Sequence, residues 1–260
     1  MNERYLDGQV AIVNAAGGGF GGAVALELAA RGARLVLQDL PAAEEAVTTV
    51  ADEITAAGGE AHACLGDALV LADVNLPAEL ALATWGRIDV LVNIVGGSVG
   101  PVVSKVWEQS VADWQRTLDL NLSTVFHFSR SVIPTMIGRR SGKIVNTSSL
   151  AWGGHPNNAA YSAAKAGVVA FTRTLSQQLA PYDVNVNAVA PGFSRTGALV
   201  RVGFARDGSD VPESLLSSIP LGRINEPEDV ASTISFLVSP MARNISGQLI
   251  TVAGGDNLSL

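Results

Sequence analysis

The sequence predicts an α/β protein: a doubly wound parallel sheet of about seven strands with helices on both faces. Two observations carry this. Short runs rich in Val, Ile and Leu recur at regular spacing, most without polar alternation, which is the pattern of strands covered on both faces. Between them lie longer stretches of helical spacing, and parallel strands joined by right-handed crossovers give one open sheet.

The strand runs are residues 9–14, 34–39, 60–65, 88–95, 142–147, 183–189 and 248–252. A first helix is expected over 22–31, where Val24, Leu26, Leu28 and Ala29 fall near one face and Gly32 stops it. A second, 42–57, ends in the same way at Gly58-Gly59. Residues 69–84 should supply a third, but Pro77 sits in the middle, so that helix is expected to start late or bend. Residues 107–137 hold a long helical pattern that Pro134 should kink or shorten. Another spans 158–180 and ends at Pro181, and a last one, 227–238, begins with Pro227 at a suitable first position. Residues 194–218 show no obvious element and are too long for an ordinary connection, which suggests a substrate lid. No composition shift marks a linker, so residues 1–260 are expected to form a single domain.

Composition narrows the function. Apolar residues make up 48% of the 260 and charged residues 16%, the opposite of a disordered chain. Mean hydropathy is +0.30, yet charges break every apolar run before it could span a bilayer, so no membrane partner is expected. Residues 1–8 are polar and include two acids, so no secretory signal is expected. Cys64 is the only cysteine, which fits a reducing cytoplasm. With a net charge of −7 and no long basic run, nucleic acid is not expected as a partner. His62, His127 and His155 fit no metal-ligand spacing, so no metal is expected.

After the first strand comes Asn14-Ala15-Ala16-Gly17-Gly18-Gly19-Phe20-Gly21-Gly22, then a helix. A glycine-rich strand-to-helix turn lets backbone N–H groups approach a pyrophosphate, and the helix N-terminus adds partial positive charge. Asp39 ends the second strand, where an acid can accept ribose hydroxyls and repel a 2′-phosphate; this points to NAD rather than NADP. Asp67 follows the third strand and either meets an adenine edge or is a plain turn residue.

Tyr161 and Lys165 stand four apart at the start of a predicted helix, one turn apart on one face. Upstream, a strand ends in Ser148-Ser149. In an open parallel sheet ligands bind beyond the carboxyl ends of the strands, where the glycine turn, the serines and Tyr161 can converge.

With these motifs in place, the chain resembles the short-chain dehydrogenase/reductase family over nearly its whole length. Gly19-Phe20-Gly21 matches the end of the family's cofactor turn, and Asn93 and Gly96 match the ends of its Asn-Asn-Ala-Gly motif. Asn121 matches its helix asparagine; the strand-end serine, Tyr161 and Lys165 match its active site. Pro191-Gly192 with Thr196 matches the segment beside the nicotinamide; Leu221-Gly222-Arg223, residues 227–230 and the glycines near 247 and 254 match its C-terminal signatures. The resemblance implies a Rossmann-like fold and an NAD(H)-dependent oxidoreductase that interconverts a secondary alcohol and a ketone. Tyr161 would be the general acid/base. A free tyrosine has a pKa near 10, and a nearby ammonium favours its phenolate, so Lys165 would tune it and also hold the nicotinamide ribose. The serine would hydrogen-bond the substrate oxygen, and Asn121 would hold a water linking Lys165 to solvent. The implied cofactor contacts are Asn14, Gly18, Gly19, Phe20, Gly21, Asp39, Leu40, Asp67, Ala68, Asn93, Gly96, Pro191, Gly192, Ser194 and Thr196, with Tyr161 and Lys165. Ser149 is preferred as the serine by counting along the strand, whereas counting back thirteen from Tyr161 gives Ser148.

The chain departs from the family pattern at Asn14-Ala15, where Thr-Gly is usual, at Ile94-Val95, and at Ser194, usually apolar. Alanine takes φ > 0 only at a cost, so either the turn keeps negative φ or the cofactor loop is altered. Two other functions are consistent with the pattern: a reductase of acyl-carrier-bound 3-oxo chains, a type that usually runs on NADPH, and a non-catalytic dinucleotide-binding sensor or scaffold. The expected pocket wall comprises residues 97–103, Trp152, His155, Phe193 and the lid, with Leu199, Val200, Val202 and Phe204 as apolar lining and Arg201 and Arg206 as surface arginines. Small residues along one helix, Ala163, Ala164, Ala166, Gly167 and Ala170, suggest a homodimer or homotetramer through that helix.

Overall fold

The structure is a computed structural model that describes residues 4–97, 99–100, 105–201, 203–204 and 209–256. Seven strands form one parallel sheet: β1 (Val10–Asn14), β2 (Arg34–Asp39), β3 (Glu60–Leu65), β4 (Val90–Asn93), β5 (Gly142–Thr147), β6 (Val184–Pro191) and β7 (Leu249–Val252). Their order is β3-β2-β1-β4-β5-β6-β7, so the direction of winding reverses between β1 and β4. A ligand crevice opens at such a switch point, outside the carboxyl ends of the strands.

Successive strand residues feed two cores, because side chains alternate across a sheet. Val13, Leu35, Leu37, Val92 and Val145 pack under α1 (Gly19–Ala30), α2 (Glu44–Ala56) and α9 (Pro227–Val238). Ile12, Val36, Leu91, Ile144 and Val186 pack under α3 (Leu71–Trp85), α5 (Thr124–Arg139) and α6 (Ala159–Leu179). The central strands β1 and β4 are buried at every position, whereas the edge strand β3 is largely exposed.

Both internal prolines leave their helices unbroken. α3 starts at Leu71, two residues later than expected, and runs through Pro77; α5 runs past Pro134 to Arg139. Each proline removes one backbone hydrogen bond, but Pro77 is buried beside Val74, Ala78 and Ala81, and Phe128, Val132 and Met136 anchor α5 on either side of Pro134. The long helical pattern becomes α4 (Val111–Leu118) and α5 joined by a π turn, Asp119–Ser123, that contains Asn121.

The segment expected to lack structure has two short helices, α7 (Gly197–Arg201) and α8 (Glu213–Leu216). Leu199, Val211, Ile219 and Ile224 form a small core there, separate from the two beneath the sheet, with Phe193, Phe204, Leu215 and Leu216 packed on it. Elements of five and four residues are too short to leave a periodic signal. Val202, Arg206, residues 98 and 101–103 and the Arg201 side chain, named as possible pocket wall or surface residues, lie outside the described residues.

Candidate active site

A cleft of about 520 Å³ lies over the carboxyl ends of β1, β4, β5 and β6. It brings together Gly18, Gly19, Phe20, Gly96, Ser149, Tyr161, Lys165, Pro191, Gly192, Ser194 and Thr196. Ser148, Phe193 and Leu199 also line it, as do Ala15, Ile94, Thr147 and Gly197, which the sequence had not marked as contacts.

The floor at the switch point is a chain of side-chain amides. Asn14 donates to Asn93 Oδ1 at 2.8 Å, Asn93 donates to Asn146 Oδ1 at 2.8 Å, and Asn146 donates to Thr172 on α6 at 2.9 Å. Asn14 Oδ1 in turn accepts the N–H groups of Ile94 and Val95 at 2.6 and 2.8 Å. Asn14 and Asn93 are thus buried beneath the cleft rather than lining it. These asparagines follow the alternation that places Ile12 and Leu91 on the same face, so the strand register aligns them.

Ala15 does adopt φ 51°, the conformation a glycine would take freely. The turn therefore keeps its shape and stores roughly 1 kcal/mol of strain. Gly21 must remain glycine, because a Cβ there would overlap the Ala15 carbonyl. α1 starts at Gly19, and its N-cap, Gly18, offers no side-chain cap, so its first N–H groups are open to an anion. Asp39 closes the turn from β2: Oδ2 accepts from Gly17 N–H and Oδ1 from Leu40 N–H, both at 2.8 Å. A carboxylate has about four acceptor sites, so this leaves capacity for hydroxyl donors. Leu40 is exposed beside it, and Ala68 is buried at the end of β3. Asp67 is held in a local turn, accepting from Leu69 N–H at 2.9 Å. Asp39, Leu40, Asp67 and Ala68 flank the cleft and do not line it.

On the opposite side α6 presents Tyr161 and Lys165. Its N-terminus is capped by Asn158, which accepts from Tyr161 N–H. The Lys165 ammonium lies 5.6 Å from the Tyr161 ring centre and donates to the Thr147 carbonyl at 2.8 Å. Lys165 is almost wholly buried, and burial pushes its pKa down to about 7. A Cβ at Gly96 would come 2.6 Å from Asn121 Oδ1 and 2.9 Å from Lys165 Nζ, so only glycine fits there. Asn121 accepts from Gly97 N–H at 2.9 Å and donates to the carbonyls of Gly97 and Thr117 at 2.8 and 2.9 Å. It thereby pins the strand β4 extension that borders the cleft.

The two serines differ. Ser148 is buried and its hydroxyl donates to the Lys165 carbonyl at 2.9 Å. Ser149 accepts from Ala151 N–H at 3.3 Å, and its own proton has no acceptor among the described residues. Trp152 and His155 do not line the cleft. Thr147 escaped the sequence reading because its role here is played by its carbonyl, which no residue type encodes.

The chain is similar to known proteins over nearly its whole length. A family model described as enoyl-(acyl carrier protein) reductase matches residues 15–257. The 3-oxoacyl-[acyl-carrier-protein] reductase of Synechocystis sp. is 40% identical over 252 residues, covering 96% of this chain and 97% of the relative. A solved 7α-hydroxysteroid dehydrogenase complexed with NADH and 7-oxo glycochenodeoxycholic acid superposes with a TM-score of 0.90 at 33% identity, covering 100% of this chain and 98% of that one. An NAD+-bound xylitol dehydrogenase superposes with a TM-score of 0.87 at 30% identity, covering 96% and 99%. The chain belongs to the short-chain dehydrogenase/reductase family.

Proposed function

We propose that the protein is an NAD(H)-dependent oxidoreductase that interconverts a secondary alcohol and a ketone. The observation that carries this is the meeting, in one cleft, of an uncapped glycine turn with Ser149, Tyr161 and Lys165. NAD is supported by Asp39, by Glu44 and Glu45 in the first turn of α2 behind it, and by the NAD-bound and NADH-bound relatives. A 2′-phosphate would meet three carboxylates there and no cation between residues 39 and 46.

The residues present fit the dinucleotide. Gly18, Gly19 and the first N–H groups of α1 would hold its pyrophosphate, and Asp39 its adenosine ribose. Gly96, Pro191, Gly192, Ser194 and Thr196 border the nicotinamide end. When bound, the cofactor supplies or accepts the hydride. Tyr161 gives a proton to the carbonyl oxygen during reduction and takes it back during oxidation. Ser149, with its hydroxyl proton unengaged, donates to the same oxygen as negative charge develops; Ser148 is committed to the α6 backbone. Lys165 stands behind Tyr161, and Asn121 fixes Gly97 beside it.

A second reading, reduction of acyl-carrier-bound 3-oxo chains, is favoured by the 40% identity to the Synechocystis reductase. We place the protein in the cytoplasm, a reading supported by the single free cysteine, Cys64. Among the described residues no helix is long and apolar enough to cross a membrane. Assembly into a homodimer or homotetramer is supported by an apolar stripe on α5 and α6: Phe126 is 45% exposed, and Ala163 and Ala170 are exposed near it. Ala164 and Gly167 are used inside the chain, Gly167 against Leu122. The segment 194–218 is proposed as the lid.

The test is titration of the protein and of Tyr161→Phe with NADH and NADPH, followed by turnover of a panel of ketones and 3-oxoacyl thioesters. The proposal expects tighter NADH binding in both proteins and turnover reduced about a thousandfold in the variant. Binding of NADPH with equal affinity would remove the Asp39 argument, and full activity of the variant would remove Tyr161.

A further inference from the structure

The wall of the cleft formed by residues 192–196 is tied to the segment around Asn225 and to β7 by buried hydrogen bonds. On its inner side Ser194 lines the cleft; on its outer side lies a second hollow of about 320 Å³, lined by Asn225, Arg223, Asp229 and Thr251. Between the two stands the pair Ser194 and Asn225. Asn225 is 5% exposed, and its backbone and side-chain amide are tied to the wall and to β7. Its N–H donates to the Phe193 carbonyl at 2.9 Å, and its carbonyl accepts from Arg195 N–H at 2.8 Å. Its side-chain amide donates to Ser194 Oγ at 3.3 Å and to the Val252 carbonyl at the end of β7. Ser194 Oγ passes the link on to the Gly192 carbonyl at 2.8 Å, and Gly192 N–H donates to the same Val252 carbonyl at 2.9 Å. The loop is closed: Asn225, Ser194, Gly192 and Val252 hold one another. The wall then reaches over the glycine turn, where a Cβ on Gly19 would come 3.7 Å from the Thr196 side chain.

We propose that Asn225 is a positioning residue for the dinucleotide: through Ser194 and Val252 it fixes the wall that borders the nicotinamide end. It touches neither cofactor nor substrate and acts through the residues it clamps. Phe193 packs on the small core and Arg195 pairs with Glu226, but Ser194 and Gly192 are joined to β7 through these buried hydrogen bonds, which are costly to leave unmade. The proposal rests on the reading of the cleft as a dinucleotide site.

The experiment is an NADH titration, followed by fluorescence, of the wild type, Asn225→Ala, Ser194→Ala and Asn185→Ala, with thermal unfolding of each. Asn185 is the control. Its amide likewise donates to two carbonyls, those of Arg243 and Ile245, at 3.1 and 3.0 Å, but at the opposite end of β6. The expected result is a rise in the NADH Kd of about tenfold for Asn225→Ala and about threefold for Ser194→Ala. Asn185→Ala should keep the Kd within twofold of the wild type while losing comparable thermal stability. At saturating NADH the rate of hydride transfer should be unchanged in Asn225→Ala. If Asn225→Ala folds poorly, Asn225→Ser, which removes the two amide bonds with a smaller loss of packing, decides in its place. A Kd within twofold of wild type for both cleft-wall variants would overturn the proposal, as would an equal rise in Asn185→Ala. A wild type that binds neither NADH nor NADPH would overturn the dinucleotide reading, and this proposal with it.

Discussion

The two sides of the cleft are built on different physical terms. The side formed by β1, β4, β5 and α6 has its polar groups locked one to the next, from Asn14 through Asn93 and Asn146 to Thr172, with both main cores beneath. The side formed by residues 192–216 stands on its own small core of Leu199, Val211, Ile219 and Ile224 and on the clamp at Asn225. The first side carries Tyr161, the proposed proton donor, a role that needs geometry held to a fraction of an ångström. The second borders a space that substrate must enter and leave, and a region of few buried contacts can open at low cost. The contrast teaches that rigidity in this molecule is concentrated where the strands end, not spread around the cleft.

The largest expected effect comes from breaking the rigid side. Asn93→Leu would leave the Asn14 amide donor and the Asn146 acceptor buried and unpaired, at a cost of roughly 2–4 kcal/mol. Urea unfolding measures this, and a loss under about 0.5 kcal/mol would mean the amide chain contributes little. Lys165 gives the next effect. Its folded pKa of about 7 lies below the free lysine value, so the folded state carries the full penalty of a buried ammonium below pH 7. As pH rises from 7 towards 10 the unfolded chain keeps a proton that the folded one has lost, and stability rises. Between pH 7 and 9 the wild type should gain about 2 kcal/mol relative to Lys165→Met. Parallel pH curves for the two proteins would contradict it.

The second side should respond in substrate handling more than in stability. Phe204 packs edge-on against Phe193, which lines the cleft, with ring centres 5.9 Å apart. Losing a pair of that kind costs about 1 kcal/mol. Phe204→Ala should therefore cost about 1 kcal/mol of stability and, by loosening Phe193, raise the ketone KM about fivefold. A large loss of stability with unchanged KM would erase the distinction between the two sides. The smallest effect is at the glycine turn. Ala15→Gly relieves an alanine at φ 51° but adds freedom to the unfolded chain, for a net gain of about 0.5 kcal/mol. A loss on this substitution would mean that the Ala15 methyl group contributes packing that outweighs its strain.

The same contrast governs what could be read from the sequence. The central strands were legible because buried parallel strands are continuous apolar runs, the edge strand β3 followed from the regular spacing of strands and helices, and Tyr161, Lys165 and the glycine turn stood out by residue type and spacing. Pro77 and Pro134 both lie inside continuous helices, α3 and α5, where burial of the surrounding helix outweighs one missing hydrogen bond. The two short helices after Gly192 were invisible for want of period. Asn225 and the Thr147 carbonyl were also out of reach: what they contribute is a meeting of distant segments, or a backbone atom that any residue would carry.

The measurement that tests the account most directly follows the hydride itself. NADH deuterated at the nicotinamide C4 position would be incubated with the protein and a panel of ketones, and the alcohols examined by mass spectrometry. The account predicts an alcohol one mass unit heavier, with deuterium on the former carbonyl carbon, and almost none from Tyr161→Phe. Alcohol formed without deuterium at that carbon from either face-labelled cofactor, or formed equally by the variant, would contradict it.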